Sequence, residues 1–333
     1  MKNSLAFTLL LLVTACSQPQ QYPFTGHIEK LDPALDSIID PDARAEIIAT
    51  GYSWTEGPLW LDSAQTLLFS DVKANTIYQW SEATGVSVYL RPSGYTDTLP
   101  RGGEMGSNGL TLDNHGQLLL TQCGNRQIAR MLAPLTHPLP DFQPLATGYL
   151  DKKFNSPNDI VCNSRGTIFF TDPPYGLEQK EKDPKKEMAY QGVFEIKPDG
   201  KLVLVTDTLA RPNGICLLPG EHTLIVTNSD PQKPIWYAFD VDDKDSVTNG
   251  RILYNANVFD TTLQSHPDGL KKDHKGNLYA AASKGGLWFI SAQGKLLGKY
   301  RVDGPVSNCS LSADEKTLYI TNNNRVLRLK LRK

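Results

Sequence analysis

Apolar and polar positions alternate with a period of two over short runs, and the runs recur in one order from about residue 50 to the C-terminus. In each unit an oxygen-bearing side chain in a Gly- or Pro-marked turn leads into an apolar strand, a polar turn and a second strand. The six copies are Glu56-Gly57-Pro58-Leu59-Trp60, Asn108-Gly109-Leu110, Asn158-Asp159-Ile160, Asn213-Gly214-Ile215, Asp268-Gly269-Leu270 and Asn308-Cys309-Ser310. Leu110 and Leu112, Ile160 and Cys162, and Ile215 and Leu217 hold the alternating apolar positions, with Leu270 followed by Lys272 as the weakest copy. The turns Asp113-Asn114-His115-Gly116, Asn163-Ser164-Arg165-Gly166 and Asp273-His274-Lys275-Gly276 each begin five residues after their anchor. Asn, Asp and Gly tolerate the backbone angles that tight turns demand. Second strands are predicted at 66–70, 117–121, 167–171, 223–227, 277–281 and 317–321, with outer strands at 76–80 and 86–90, 192–196 and 201–206, and 287–290 and 295–300.

The anchors are 52, 50, 55, 55 and 40 residues apart, close to the period of roughly 40–50 residues found in propeller blades. The expected fold is all-β: a six-bladed β-propeller with a central metal site, occupying 43–333 as a single domain. The last unit has only one clear outer strand, near 325–331. Ala45–Thr50 has the pattern to supply the missing one, so the chain ends should meet in one blade and leave no open edge. Six equivalent side chains in six radial units then surround one axis. Two long connections, 93–107 and 173–191, lie on the anchor side and are expected to roof the channel mouth.

With 333 residues, 40% hydrophobic and 21% charged, the chain has material for a large core. Its net charge of −2 gives no case for nucleic acid. Lys2 and the apolar stretch from Leu5 to Val13 read as a signal peptide, and Val13-Thr14-Ala15-Cys16 resembles a bacterial lipoprotein cleavage box. The expected organisation is a leader over 1–16 ending at the lipidated Cys16, a tether over 17–42, and a domain exported to the cell envelope and facing the periplasm. The membrane is touched only through the lipid. Cys123, Cys162, Cys216 and Cys309 are widely and irregularly spaced, which gives no disulfide framework and suggests buried free thiols.

Only Glu56 and Asp268 among the anchors are charged; the other four are Asn. Carboxylate and amide oxygens suit Ca²⁺ or Mg²⁺, and two carboxylates balance one divalent cation. Asn-Gly and Asp-Gly also form turns unaided, which accounts for Asn108 and Asn308. Glu56, a poor turn former, is not explained that way. The chain has no Gly-x-Ser-x-Gly, His-Glu-x-x-His, Walker or dinucleotide motif. His115 and His274 fall in turns, whereas His266 stands two residues before Asp268.

These stretches, with Gly106-Ser107-Asn108-Gly109-Leu110, Asn155-Ser156-Pro157-Asn158-Asp159, Phe170-Thr171-Asp172-Pro173-Pro174-Tyr175-Gly176, Arg211-Pro212-Asn213-Gly214 and Pro267-Asp268-Gly269-Leu270, resemble the SMP-30/gluconolactonase family and its bacterial branch. The resemblance implies one divalent cation, calcium in preference to Mg²⁺, Mn²⁺ or Zn²⁺, held by Glu56, Asn213 and Asp268. Asn158 is a further ligand or substrate contact, and Asp268 is also the acid/base residue. It implies hydrolysis of a small sugar lactone to its aldonic acid. Asn108, Asn158, Arg101, Glu104 and Tyr175 are the expected substrate contacts. Gln122-Cys123-Gly124 departs from the Glu-His-Gly of many bacterial relatives, which makes Cys123 a candidate for altered specificity. Two other readings use the same residues: an aryl-ester or organophosphate hydrolase, and a non-enzymatic propeller that uses calcium structurally while binding a partner.

Overall fold

Each predicted second strand lies inside a sheet of its own, and the structure, a computed structural model, describes residues 21–258, 260 and 265–332. Blade 1 runs Thr55–Leu61, Thr66–Asp71, Thr76–Ser81, Gly85–Leu90 from the axis outward, and blade 2 runs Ser107–Leu112, Leu118–Gln122, Gln127–Met131, Phe142–Ala146. Blade 3 is Ile160–Cys162, Ile168–Asp172, Gly192–Ile196, Leu202–Thr206, and blade 4 is Pro212–Leu217, Thr223–Asn228, Ile235–Val241, Val247–Asn255. Blade 5 begins Leu270–Lys272, Leu278–Ala281, Leu287–Ile290, Leu296–Arg301, and blade 6 begins Val306–Leu311, Thr317–Asn322, Arg325–Lys330. Ala45–Thr50 pairs with Arg325–Lys330, placing Thr50 opposite Arg325, so the chain ends close blade 6 as expected.

The core is six apolar wedges, one between each pair of neighbouring blades. Leu68 and Ile77 of blade 1 meet Leu110 and Leu118 of blade 2, and Trp236 of blade 4 stacks on Trp288 of blade 5 at 5.4 Å. The wedges press the blades together around the axis, and the innermost strands become the channel wall.

The anchors are not turns. Glu56, Asn108, Asn213 and Asn308 lie within innermost strands, and the pairing register slips beside each, between Glu56 and Leu59, Ser107 and Leu110, Pro212 and Ile215, and Val306 and Asn308. Asn158 and Asp268 stand two residues before the strands of blades 3 and 5. Such bulges re-aim side chains beside functional sites. The glycine after an anchor is there for close approach: a Cβ on Gly214 would lie 2.3 Å from Asp268 O, and one on Gly109 would lie 2.8 Å from Asn158 O. The real turns come later. Asp113, Asn163 and Asp273 each accept two backbone N–H groups across their hairpins, as their spacing predicts.

The described part of the expected tether is built into the domain. Phe24–Thr25 pairs with Ala45–Thr50, and His27–Lys30 adds a fifth strand to blade 5 against Leu296–Arg301. A 3₁₀ turn at Pro33–Ser37, capped by Asp32, then carries Leu35, Ile38 and Ile39 into the wedge between blades 5 and 6. Three apolar side chains buried in this way outweigh the Gln- and Pro-rich start of the segment that suggested a tether. The leader and Cys16 lie outside the described residues. Leu35 is 1% exposed, and Leu35→Ala should destabilise the domain by about 2–5 kcal/mol. Urea unfolding indistinguishable from the parent protein would return this segment to the status of a tether.

Candidate functional site

In blades 1 to 4 a hydroxyl of the second strand joins the blade to the next anchor. Ser70 Oγ donates to Asn108 O at 3.0 Å, Thr121 Oγ1 to Asn158 O at 2.7 Å, Thr171 Oγ1 to Asn213 O at 2.6 Å and Thr227 Oγ1 to Asp268 O at 2.9 Å. In blades 2 to 4 the same oxygen accepts the N–H just after its own anchor, from Gly109 at 2.9 Å, Asp159 at 3.1 Å and Gly214 at 2.7 Å. In these three blades one oxygen therefore ties an anchor to the next.

Five of the six anchors, Glu56, Asn108, Asn158, Asn213 and Asp268, line one cavity of about 210 Å³. Asn308 does not: its Oδ1 accepts from Cys309 N at 2.9 Å and from Lys271 Nζ at 3.4 Å. Trp54, Arg211 and His266 also line the cavity. They stand two residues before Glu56, Asn213 and Asp268, and side chains two apart on extended chain share a face. The spacing noted for His266 in the sequence picks out Trp54 and Arg211 as well. Ser229 and Ser283 complete the wall, and neither has a local sequence signal. Ser229 Oγ accepts from Asn213 Nδ2 at 3.0 Å and donates to Pro267 O.

The two long connections do roof the mouth. Glu104 comes from one and Tyr175 from the other, and both line the cavity. Arg101 does not; its guanidinium donates to Gly124 O and Gly176 O. With Gly102 N bonded to Glu178 Oε1 at 3.0 Å, it clasps the two loops together. The expected substrate contact is instead a roof fastener. Cys123 lies behind the wall, buried, with its thiol donating to Pro157 O at 3.2 Å, and it lines no part of the cavity.

The electrostatics are dominated by carboxylates. Burial raises the Glu56 pKa well above the usual carboxylate range, and Asp268 and then Asp159 add to it. Burial likewise raises Asp268, with the charges of Asp159 and Glu104 adding, while Gly269 N–H and the Asn213 side chain pull it back. Glu104 is raised by burial against the opposing pull of Lys73 and Lys180. Asn108 is buried, and its Oδ1 has no hydrogen-bond partner among the described residues. Among those residues no three His, Cys, Asp or Glu side chains are placed to hold a metal, so a cation here would need the Asn amide oxygens. The amides of Asn158 and Asn213 line the same cavity as two carboxylates that resist ionising together. The donor set fits a hard divalent cation.

Residues 54–324 match the family model described as the SMP-30/Gluconolactonase/LRE-like region. Over 311 residues the chain is 38% identical to a gluconolactonase of Zymomonas mobilis, spanning 92% of this chain and 86% of that protein. Among solved structures, a gluconolactonase of Xanthomonas campestris superposes with a TM-score of 0.79 at 28% identity, over 94% of this chain and 99% of that one. The calcium-binding protein regucalcin of Agrobacterium tumefaciens shares the fold at a TM-score of 0.62 and 14% identity, over 93% and 96% of the two chains.

Replacing Arg101 with Met removes the clasp without touching the cavity wall. Limited proteolysis should cut several-fold faster within 173–191, with the circular dichroism unchanged; an unchanged cleavage rate would show that the roof holds without it.

Proposed function

The chain belongs to the SMP-30/gluconolactonase/LRE-like family, and from that premise we propose that it hydrolyses the ring ester of a gluconolactone-type sugar lactone to the aldonic acid, using one divalent cation. Glu56, Asn158, Asn213 and Asp268 would hold the cation, with calcium as the first choice. The observation that carries this reading is the convergence of Glu56 and Asp268 with Asn amides in one roofed cavity. Two buried carboxylates whose pKa values are both raised need a positive partner to stay ionised together.

When bound, the cation supplies Lewis-acid polarisation of the ester carbonyl. Asp268, steadied by the Asn213 side chain, accepts the proton of the attacking water. Asn108 offers its unpaired Oδ1 to a sugar hydroxyl, and Glu104 and Arg211 are the further polar contacts on the wall. Trp54 and Tyr175 supply the aromatic surface. A cavity of about 210 Å³ is smaller than the roughly 300–1,000 Å³ of drug-sized sites, so it takes one small ring. Ring opening gives a single product that carries both halves of the ester, and no second leaving group has to depart. The chemistry of the N-terminal segment, Lys2, the apolar stretch and Cys16, supports export and a lipid anchor that holds the enzyme facing the periplasm.

Acid release from glucono-δ-lactone, corrected for spontaneous hydrolysis, should vanish on chelation and return with Ca²⁺. Glu56→Gln and Asp268→Asn should each lower turnover by at least about 100-fold with the fold retained; full activity in either variant excludes the assignment. Cation affinity should weaken as pH falls, because the raised pKa values of Glu56 and Asp268 let protons compete from a higher pH than for ordinary carboxylates. Calorimetric titration at pH 8 and pH 6 reads this directly, and equal affinity at both would contradict it. In a Gram-negative host, Cys16→Ala should abolish labelling by a clickable fatty acid; retained labelling places the anchor elsewhere.

A further inference from the structure

The six innermost strands follow one rule with two charged exceptions. At the position after the anchor stand Gly57, Gly109, Gly214, Gly269, Cys309 and, in blade 3 alone, a carboxylate, Asp159. Three residues after the anchor stand Leu59, Thr111, Val161, Cys216, Leu311 and, in blade 5 alone, a cation, Lys271. The exceptions meet across the channel: Lys271 Nζ lies 3.9 Å from Asp159 Oδ2 and 3.4 Å from Asn308 Oδ1.

Asp159 is buried and well held. Its Oδ1 accepts Ile160 N at 2.9 Å and its Oδ2 accepts Ile215 N at 3.3 Å. Its charge is felt by both Glu56 and Asp268, so it is, beside Glu104, a further carboxylate within range of the cation site. Lys271 approaches from the other side, where it lines a separate cavity of about 260 Å³ with the inner-strand residues of the remaining blades. The ammonium thus stands between the acidic site and that second opening.

We propose that Lys271 is a positioning residue that acts as the internal counter-charge of the site: by offsetting Asp159 it sets how tightly the site holds a divalent cation. This rests on the cation reading given above. An uncompensated Asp159 would tighten the grip on a cation; with Asp159 answered by Lys271, and Glu104 opposed by Lys73 and Lys180, Glu56 and Asp268 are left as the charge that the cation must balance. Asn308, the one anchor absent from the cavity, is used to hold the ammonium in place.

Calorimetric titration of the purified protein with CaCl₂ tests this. Lys271→Met should bind Ca²⁺ more tightly, on the order of fivefold, Lys271→Arg should stay within about twofold of the parent, and Asp159→Asn should bind more weakly. The double variant, which removes both charges, should return to within about twofold of the parent. A purely structural plug would leave affinity unchanged or lower it on loss of Lys271, and either result, with the parent binding normally, overturns the proposal alone. If Lys271→Met does not fold, the double variant must still bind more tightly than Asp159→Asn; equal or weaker binding overturns it. A parent protein that binds no divalent cation removes the cation reading and this inference together.

Discussion

A hydroxyl on the second strand of one blade, donating to the backbone carbonyl of the next blade's anchor, fixes where the site's side chains begin. It is repeated from Ser70 to Thr227 through four successive junctions. Each bond contributes only about 1 kcal/mol net, but it is buried and directional, so it sets position more than stability. The close approach it requires is what excludes a side chain from Gly109 and Gly214. At the fifth junction Ala281 has no hydroxyl, and the backbone bond from Gly269 N to Ser307 O, 2.8 Å, takes over. At the closing junction Ser307 Oγ donates to Thr55 O at 2.8 Å, next to Glu56. The ring is thereby continuous.

The fixed backbone lets acidic groups be gathered where burial opposes them. Asp268, Asp159 and Glu104 all act on Glu56 near the axis, and Asp159 and Glu104 act on Asp268. Such a set is unfavourable in a protein interior unless cations answer it. Lys73 and Lys180 oppose Glu104 from the rim, and Lys271 opposes Asp159 from within the channel. Glu56 and Asp268 are the pair that the proposed cation would balance. The roof, clasped by Arg101, bounds the cavity in which those charges act.

Much of this was legible in the chain. The repeat, its second strands and the closing role of Ala45–Thr50 follow from periodicity, because a strand must bury one face and a propeller must close. Five anchors converge as their equivalence demands. The local conformation of the anchors was misread, because Asn-Gly has the same letters whether it makes a turn or lets two strands approach. Residues 22–40 were misread because a few apolar side chains, Leu35, Ile38 and Ile39, decide their fate against a polar composition. The role of Arg101 depends on carbonyls at Gly124 and Gly176, far apart in sequence, and no local pattern announces such a contact. Asp159 and Lys271 were visible as departures from the repeat, but their meeting is a fact of three dimensions.

If the anchors of separate blades hold a single cation as proposed, it sits at the mouth of the channel. Anomalous diffraction from crystals grown with Mn²⁺ or Ca²⁺ tests it most directly. The expected result is one ion in the roofed cavity with oxygens of Glu56, Asn213 and Asp268 in its coordination shell, at roughly 2.0–2.6 Å. An ion bound elsewhere, or a cavity that stays metal-free at millimolar cation, would contradict it.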